Sequence, residues 1–195
     1  MVIEFTLLGT PMYIEQPQEL VGLAGWFLLL STVIFLLFQW RQLNKRRTRI
    51  TWGIFIGLTV LLVLTNLFII VGFPAGATLP IQGLPDGAEV SALVLFAALP
   101  WVLAAGLLGV LPAAILGMLS GLMISLLYTH SLFTALEYSL MAVLLGAAFH
   151  QRYRTWVFRA LRHPVFSTIL MAFIYPLFFI LDTTLIASGT LADRL

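Results

Sequence analysis

Cysteine is absent from the 195 residues, which excludes disulfides, thiolate nucleophiles and cysteine-ligated clusters and leaves the redox compartment unmarked. Charge is scarce as well: Asp, Glu, Lys and Arg together make up 9% of the chain, against about a quarter in a soluble domain. From Val90 to His150 there is no Lys or Arg and a single acid, Glu137. Histidine is limited to three residues, none placed inside an expected span, so no intramembrane base and no paired haem ligands exist. No phosphate loop or dinucleotide fingerprint is present. The amino terminus MVIEFTLLGTPMYIEQPQEL lacks the basic start of a secretory signal.

What is abundant is apolar mass. Hydrophobic residues reach 61% and the mean hydropathy is +1.06, the composition of an integral membrane protein. Near 20 apolar helical residues cross the roughly 30 Å hydrocarbon layer. On that scale the sequence predicts an all-α polytopic bundle, one membrane domain over 1–195, with about six spans at 20–40, 50–73, 90–109, 111–128, 132–149 and 165–187. The apolar run from Val90 to Leu127 is too long for one rod, and Gly106 to Pro112 marks where it folds back.

Basic residues then orient the bundle. Arg41, Lys45, Arg46, Arg47 and Arg49 share one loop, and Arg152, Arg154, Arg159 and Arg162 another. The positive-inside rule makes both loops, 41–49 and 150–164, cytoplasmic. Six spans then put both termini outside an inner membrane, together with the Pro74 to Glu89 loop, the Thr129 to Ser131 turn and six acids: Glu4, Glu15, Glu19, Asp86, Glu89 and Asp193. Residues 1–19 are expected at the membrane surface. The pI near 9.3 reflects these loops and not a nucleic-acid partner.

Two acids inside spans, Glu137 and Asp182, are costly at bilayer depth and mark function by default. Asn66, Tyr128, His130 and Thr183 fall at a similar outward depth, so the six residues are expected to outline a small ligand-binding pocket open to the outside. The plainer alternative is that the acids snorkel or bind water and Asn66 makes one interhelical bond. Two acids and a histidine are too few to specify a metal, and neither catalytic residues nor cofactors are expected. Ala113, Gly117, Gly121 and Ser125 recur every fourth residue, a helix-packing face that either seats a neighbouring helix or docks a partner subunit. Gly53 and Gly57, and Ala142 with Gly146, repeat the spacing. Pro100 and Pro176 fall mid-span, where each frees a carbonyl and permits a kink. In HQRYRTWVFRALRHP, Tyr153, Trp156, Val157, Ala160 and Leu161 take one side and Arg152, Arg159, Arg162 and His163 the other. This is an amphipathic interfacial helix for anionic lipid or a cytoplasmic partner.

The stretch GLLGVLPAAILGMLSGLMISLLYTH, with the helix after it, resembles the multi-span input domain of bacterial sensor proteins, the LytS-type membrane domain. It is also similar to the S component of energy-coupling-factor vitamin transporters. The first resemblance implies a membrane-embedded sensory module whose output lies beyond Leu195, which follows ADR like an interrupted chain. The second implies a six-helix substrate-binding subunit docked through small-residue faces. Neither carries family ligand residues onto this sequence. A structural subunit of a larger membrane complex would use the same packing faces and need no pocket.

Overall fold

A computed structural model describes residues 2–7, 10–15, 20–41, 49–68, 70–73, 91–94, 96–151 and 155–186. Helices form the body: α1 Leu20–Arg41, α2 Arg49–Phe68, α3 Leu99–Leu107, α4 Val110–Ile124, α5 Leu132–His150, α6 Trp156–Leu161 and α7 Pro164–Ile186. A π-helical turn, Ser125–Thr129, prolongs α4. Two antiparallel ribbons accompany them, β1 (Val2–Leu7) with β2 (Thr10–Glu15) and β3 (Ile70–Phe73) with β4 (Ser91–Val94).

Three stretches among the described residues are long and apolar enough to cross a membrane: Leu20–Gln39, Val110–Thr129 and Leu132–His150. Trp52–Leu67 and Pro164–Leu177 are shorter apolar helices. Helix boundaries follow the expected spans closely in α1, α4, α5 and α7 and depart from them around the third. The expected 50–73 helix ends at Phe68 and continues as β3. The expected 90–109 helix is β4, a turn at Phe96–Ala98, and then the nine residues of α3, about 13 Å long and too short to cross alone. Pro100, in the first turn of α3, suits a helix start because its missing N–H is one the first turn leaves unpaired anyway. The reversal between α3 and α4 falls at Gly109, whose φ of 97° favours a residue without Cβ.

The centre of the fold is the antiparallel α4–α5 pair. A Cβ on Gly117 would sit 2.6 Å from the Tyr138 carbonyl oxygen, and one on Gly121 would sit 2.6 Å from that of Thr134. Gly146 meets Val110 in the same register. Ala113 and Ser125 are fully buried. The small-residue face of α4 is therefore filled by α5, within the chain. Around this pair, α1 packs Trp26, Leu29, Leu30 and Val33 on Phe133, Leu136 and Leu140, while Leu58 and Leu62 of α2 join Trp101, Leu116, Met141 and Met171 in the main core. Outward-facing side chains remain apolar: Leu28, Phe35 and Phe38 on α1, Ile56 and Val60 on α2, and Phe173 and Leu177 on α7 are all exposed, the surface a bilayer would cover.

Candidate functional site at the broken third helix

Asn66 stands one turn above Leu62 near the end of α2 and is completely buried. One of its amide hydrogens is donated to the Leu62 carbonyl at 2.8 Å. The other goes to the Ser120 hydroxyl at 3.3 Å, and Ser120 in turn donates to the Ala97 carbonyl at 3.2 Å. Ala97 belongs to the turn preceding α3, and its neighbour Phe96 has φ 64°, a left-handed conformation that a bulky residue rarely adopts. Ser120 lies about halfway along the 20-residue stretch Val110–Thr129. The break in the third helix is thus at mid-height of the bundle, where its carbonyl has no helical partner and Ser120 satisfies it.

The network extends toward the Thr129–Ser131 end. Tyr128 donates its hydroxyl to the backbone carbonyl of Asn66 at 3.3 Å, satisfying one of the four carbonyls that the end of α2 leaves free. Tyr128 is aimed there from the π-helical turn, where the His130 N–H reaches back five residues to the Ser125 carbonyl at 2.8 Å. The Ser125 hydroxyl donates to the Ser131 carbonyl at 2.6 Å, and the Ser131 side chain caps α5 by accepting from the Phe133 N–H. Thr129 and Thr134 share a hydrogen bond at 2.8 Å. His130 closes the turn with φ 52° and is half-buried. β2 lies against this turn; residues 16–19 and the side chains of 1–19, expected at the headgroup level, lie outside the described residues.

Two polar atoms in the junction of α2, α3 and α4 have no hydrogen-bond partner among the described residues: Asn66 Oδ1 and Trp101 Nε1. Both residues are at most 3% exposed. Trp101 also starts an aromatic ladder through the core. Its ring meets Tyr138 edge-on at 6.3 Å, and Tyr138 meets Tyr175 at 6.1 Å and hydrogen-bonds to it.

Of the six residues grouped from the sequence, Asn66 and Tyr128 are joined, through the Asn66 backbone carbonyl. Glu137 is buried on α5, but on another side of the helix. Ala135, Tyr138, Ala142 and Gly146 face α4; Phe133, Leu136 and Leu140 face α1; Tyr138 and Met141 reach toward α7. At about 100° per residue, Glu137 falls between the α1-facing and α7-facing sides. Asp182 and Thr183 lie on α7, and their side chains are outside the described residues. Among the described residues no three His, Asp or Glu side chains gather as a metal site would require. Ser120 and Trp101 are the site residues the sequence reading omits. Ser120 is the one hydroxyl in the middle of α4, standing off the small-residue stripe by one position, and that offset is the signal that it faces a different neighbour.

At the opposite end, the amphipathic helix expected over His150–Pro164 is shorter, Trp156–Leu161. Trp156, Arg159, Arg162 and His163 are exposed there, and Arg152 lies outside the described residues. No protein-family model, curated protein or solved structure matches the chain.

Proposed function

We propose that this chain is a non-enzymatic membrane module, the sensory input domain of a bacterial signalling protein, with a small polar recognition site that runs from mid-height of the bundle toward its outer end. The observation that carries the reading is Asn66: a fully buried amide on an apolar helix, with its oxygen unpaired, at a break in the neighbouring helix. Non-helical backbone at membrane depth is tolerated where it is buried in protein or lines a cavity, and polar residues there serve function more often than stability. In this reading six segments are embedded, α3 being a half-length one. The loops 41–49 and 150–164 face the cytoplasm, and ligand-dependent movement of α2 and α7 is passed to that side. In this reading His130 belongs to the outer rim of the same region, whereas Glu137 lies on another side of α5.

One observation favours a second reading. Gly53 and Gly57 on α2 are exposed, and a Cβ added at either would meet nothing within 4 Å, an open small-residue face of the kind that seats another membrane helix. A transporter S component docked on its coupling subunit, or a structural subunit of a larger complex, would use it.

Native mass spectrometry of the purified chain, followed by spin-label distances between Thr51→Cys and Thr155→Cys with and without the molecule it retains, separates these. The input reading expects a retained small molecule and a changed distance. An unchanged distance overturns it, and stoichiometric co-purification with an ATPase pair and a membrane coupling subunit replaces it with the transporter reading.

A further inference from the structure

The two unpaired atoms are complementary: Asn66 Oδ1 accepts a hydrogen bond and Trp101 Nε1–H donates one. They belong to one junction. Leu62, a turn below Asn66, packs in the same cluster as Trp101, and Ser120 ties Asn66 to Ala97, four residues before Trp101 at the opening of α3. Both amide hydrogens are used within the protein and the Ser120 hydrogen is directed to Ala97, so among the described residues none of these three hydrogens serves the oxygen. A buried carbonyl oxygen and a buried indole N–H without partners are each a cost, and both belong to residues packed around the same helix break. The π-helical turn that aims Tyr128 onto Asn66 is a further irregularity of the sort found at binding sites.

Charge decides the kind of occupant. Apart from Arg49 at the far end of α2 from Asn66, the segments that supply α2, α3 and α4, Arg49–Phe68 and Ser91–Thr129, contain no Asp, Glu, Lys, Arg or His. A charged group brought into this junction would find no counter-charge on these three helices, and Glu137 of α5 is turned to another side; burying an unpaired charge is prohibitive. We infer that the α2–α3–α4 junction recognises a small uncharged molecule bearing a hydrogen-bond donor beside an acceptor, such as a primary carboxamide or an alcohol, its donor on Asn66 Oδ1 and its acceptor on Trp101 Nε1–H. This rests on the input reading and sharpens it: the chemical class read is neutral, and Glu137 is not a direct ligand.

The test uses the full chain in lipid nanodiscs with ¹⁵N-labelled tryptophan, the Trp101 indole resonance being assigned by its loss in Trp101→Phe. Acetamide is the probe, with acetate and methylammonium as charged controls. The Trp101 resonance is expected to move saturably with acetamide and to stay in place with either ion, and Asn66→Leu is expected to weaken the response about ten-fold. The other four tryptophans report whether Asn66→Leu is folded. If it is not, Trp101→Phe takes its place, read through the labelled Asn66 side-chain amide with the same expected loss. Absence of an acetamide response, an equal response to acetate, or an unchanged affinity in the folded variant overturns the inference, as does magnetisation transfer from Trp101 to water alone, which would make the occupant structural water. A saturable acetamide response with no change in the Thr51–Thr155 distance defeats the input reading and leaves this inference standing. A retained charged molecule that alters that distance does the reverse.

Discussion

Ser120 and Asn66 show how differently two hydrogen-bonded neighbours respond to truncation. Removing the Ser120 hydroxyl leaves the Ala97 carbonyl and an Asn66 N–H unpaired in a buried place. Ser120→Ala should therefore cost about 1–3 kcal/mol. Asn66→Leu removes an interhelical bond worth about 0.6 kcal/mol but leaves Ser120 on Ala97. Equilibrium unfolding in mixed micelles should rank Ser120→Ala as the more destabilised, and the opposite order would mean that Ser120 does not hold the helix break. Glycines divide in the same way. Gly117→Ala and Gly121→Ala drive a methyl against an α5 carbonyl oxygen, and each should lose about 1–3 kcal/mol as α4 and α5 separate. Gly53→Ala and Gly57→Ala face open space and should be neutral or stabilising by up to about 1 kcal/mol, since alanine is the better helix former. Equal losses in all four would refute the assignment of α4's small face to α5.

Among the elements, α3 is the one whose length carries meaning. Nine residues are too few to cross a bilayer as a helix, and what precedes them is turn and strand, with backbone groups that must find partners by other means. Ser120 supplies one, and β3 supplies others by pairing with β4. The short helix is held from below by Gly109, whose left-handed φ lets α4 double back at once. Gly109→Ala should cost about 1–2 kcal/mol from backbone strain alone. It should also broaden the Trp101 resonance, because the start of α3 would lose its fixed height against Ser120. A variant as stable as the parent would show that the turn readily takes another form.

The whole molecule is graded from a polar-seamed, close-packed α4–α5 centre to an apolar exterior on α1, α2 and α7. Among the described residues the outward faces of these helices are apolar, a surface suited to lipid or another apolar helix. Because the chain has no cysteine, single cysteines can report its orientation without background. Asn44→Cys and Thr155→Cys should react with an impermeant maleimide only after cells are opened, and Gln82→Cys should react in intact cells. Labelling of either basic loop from outside would reverse the orientation and turn the Tyr128 end toward the cytoplasm.

Composition and charge placement alone determine that the chain is helical and apolar and where most helices begin and end. Twenty-residue apolar runs leave the backbone few other ways to satisfy its hydrogen bonds, and Arg41, Arg49 and Pro164 punctuate them. The four-residue spacing of Ala113, Gly117, Gly121 and Ser125 likewise announces a close approach, because small side chains at one helical angle create a groove whatever fills it. Which surface fills it is a tertiary matter, settled by α5 lying antiparallel with its own small residues opposite. The run from Val90 to Gly109 reads as one helix because apolar composition does not distinguish a buried strand and turn from a helix. Only the meeting of Ala97 with Ser120 and of β4 with β3 makes the break tolerable. For the same reason Asn66 and Glu137, alike in depth along the sequence, fall on different sides of the α4–α5 pair: depth is counted along one helix, whereas direction depends on how the helices are rotated against each other.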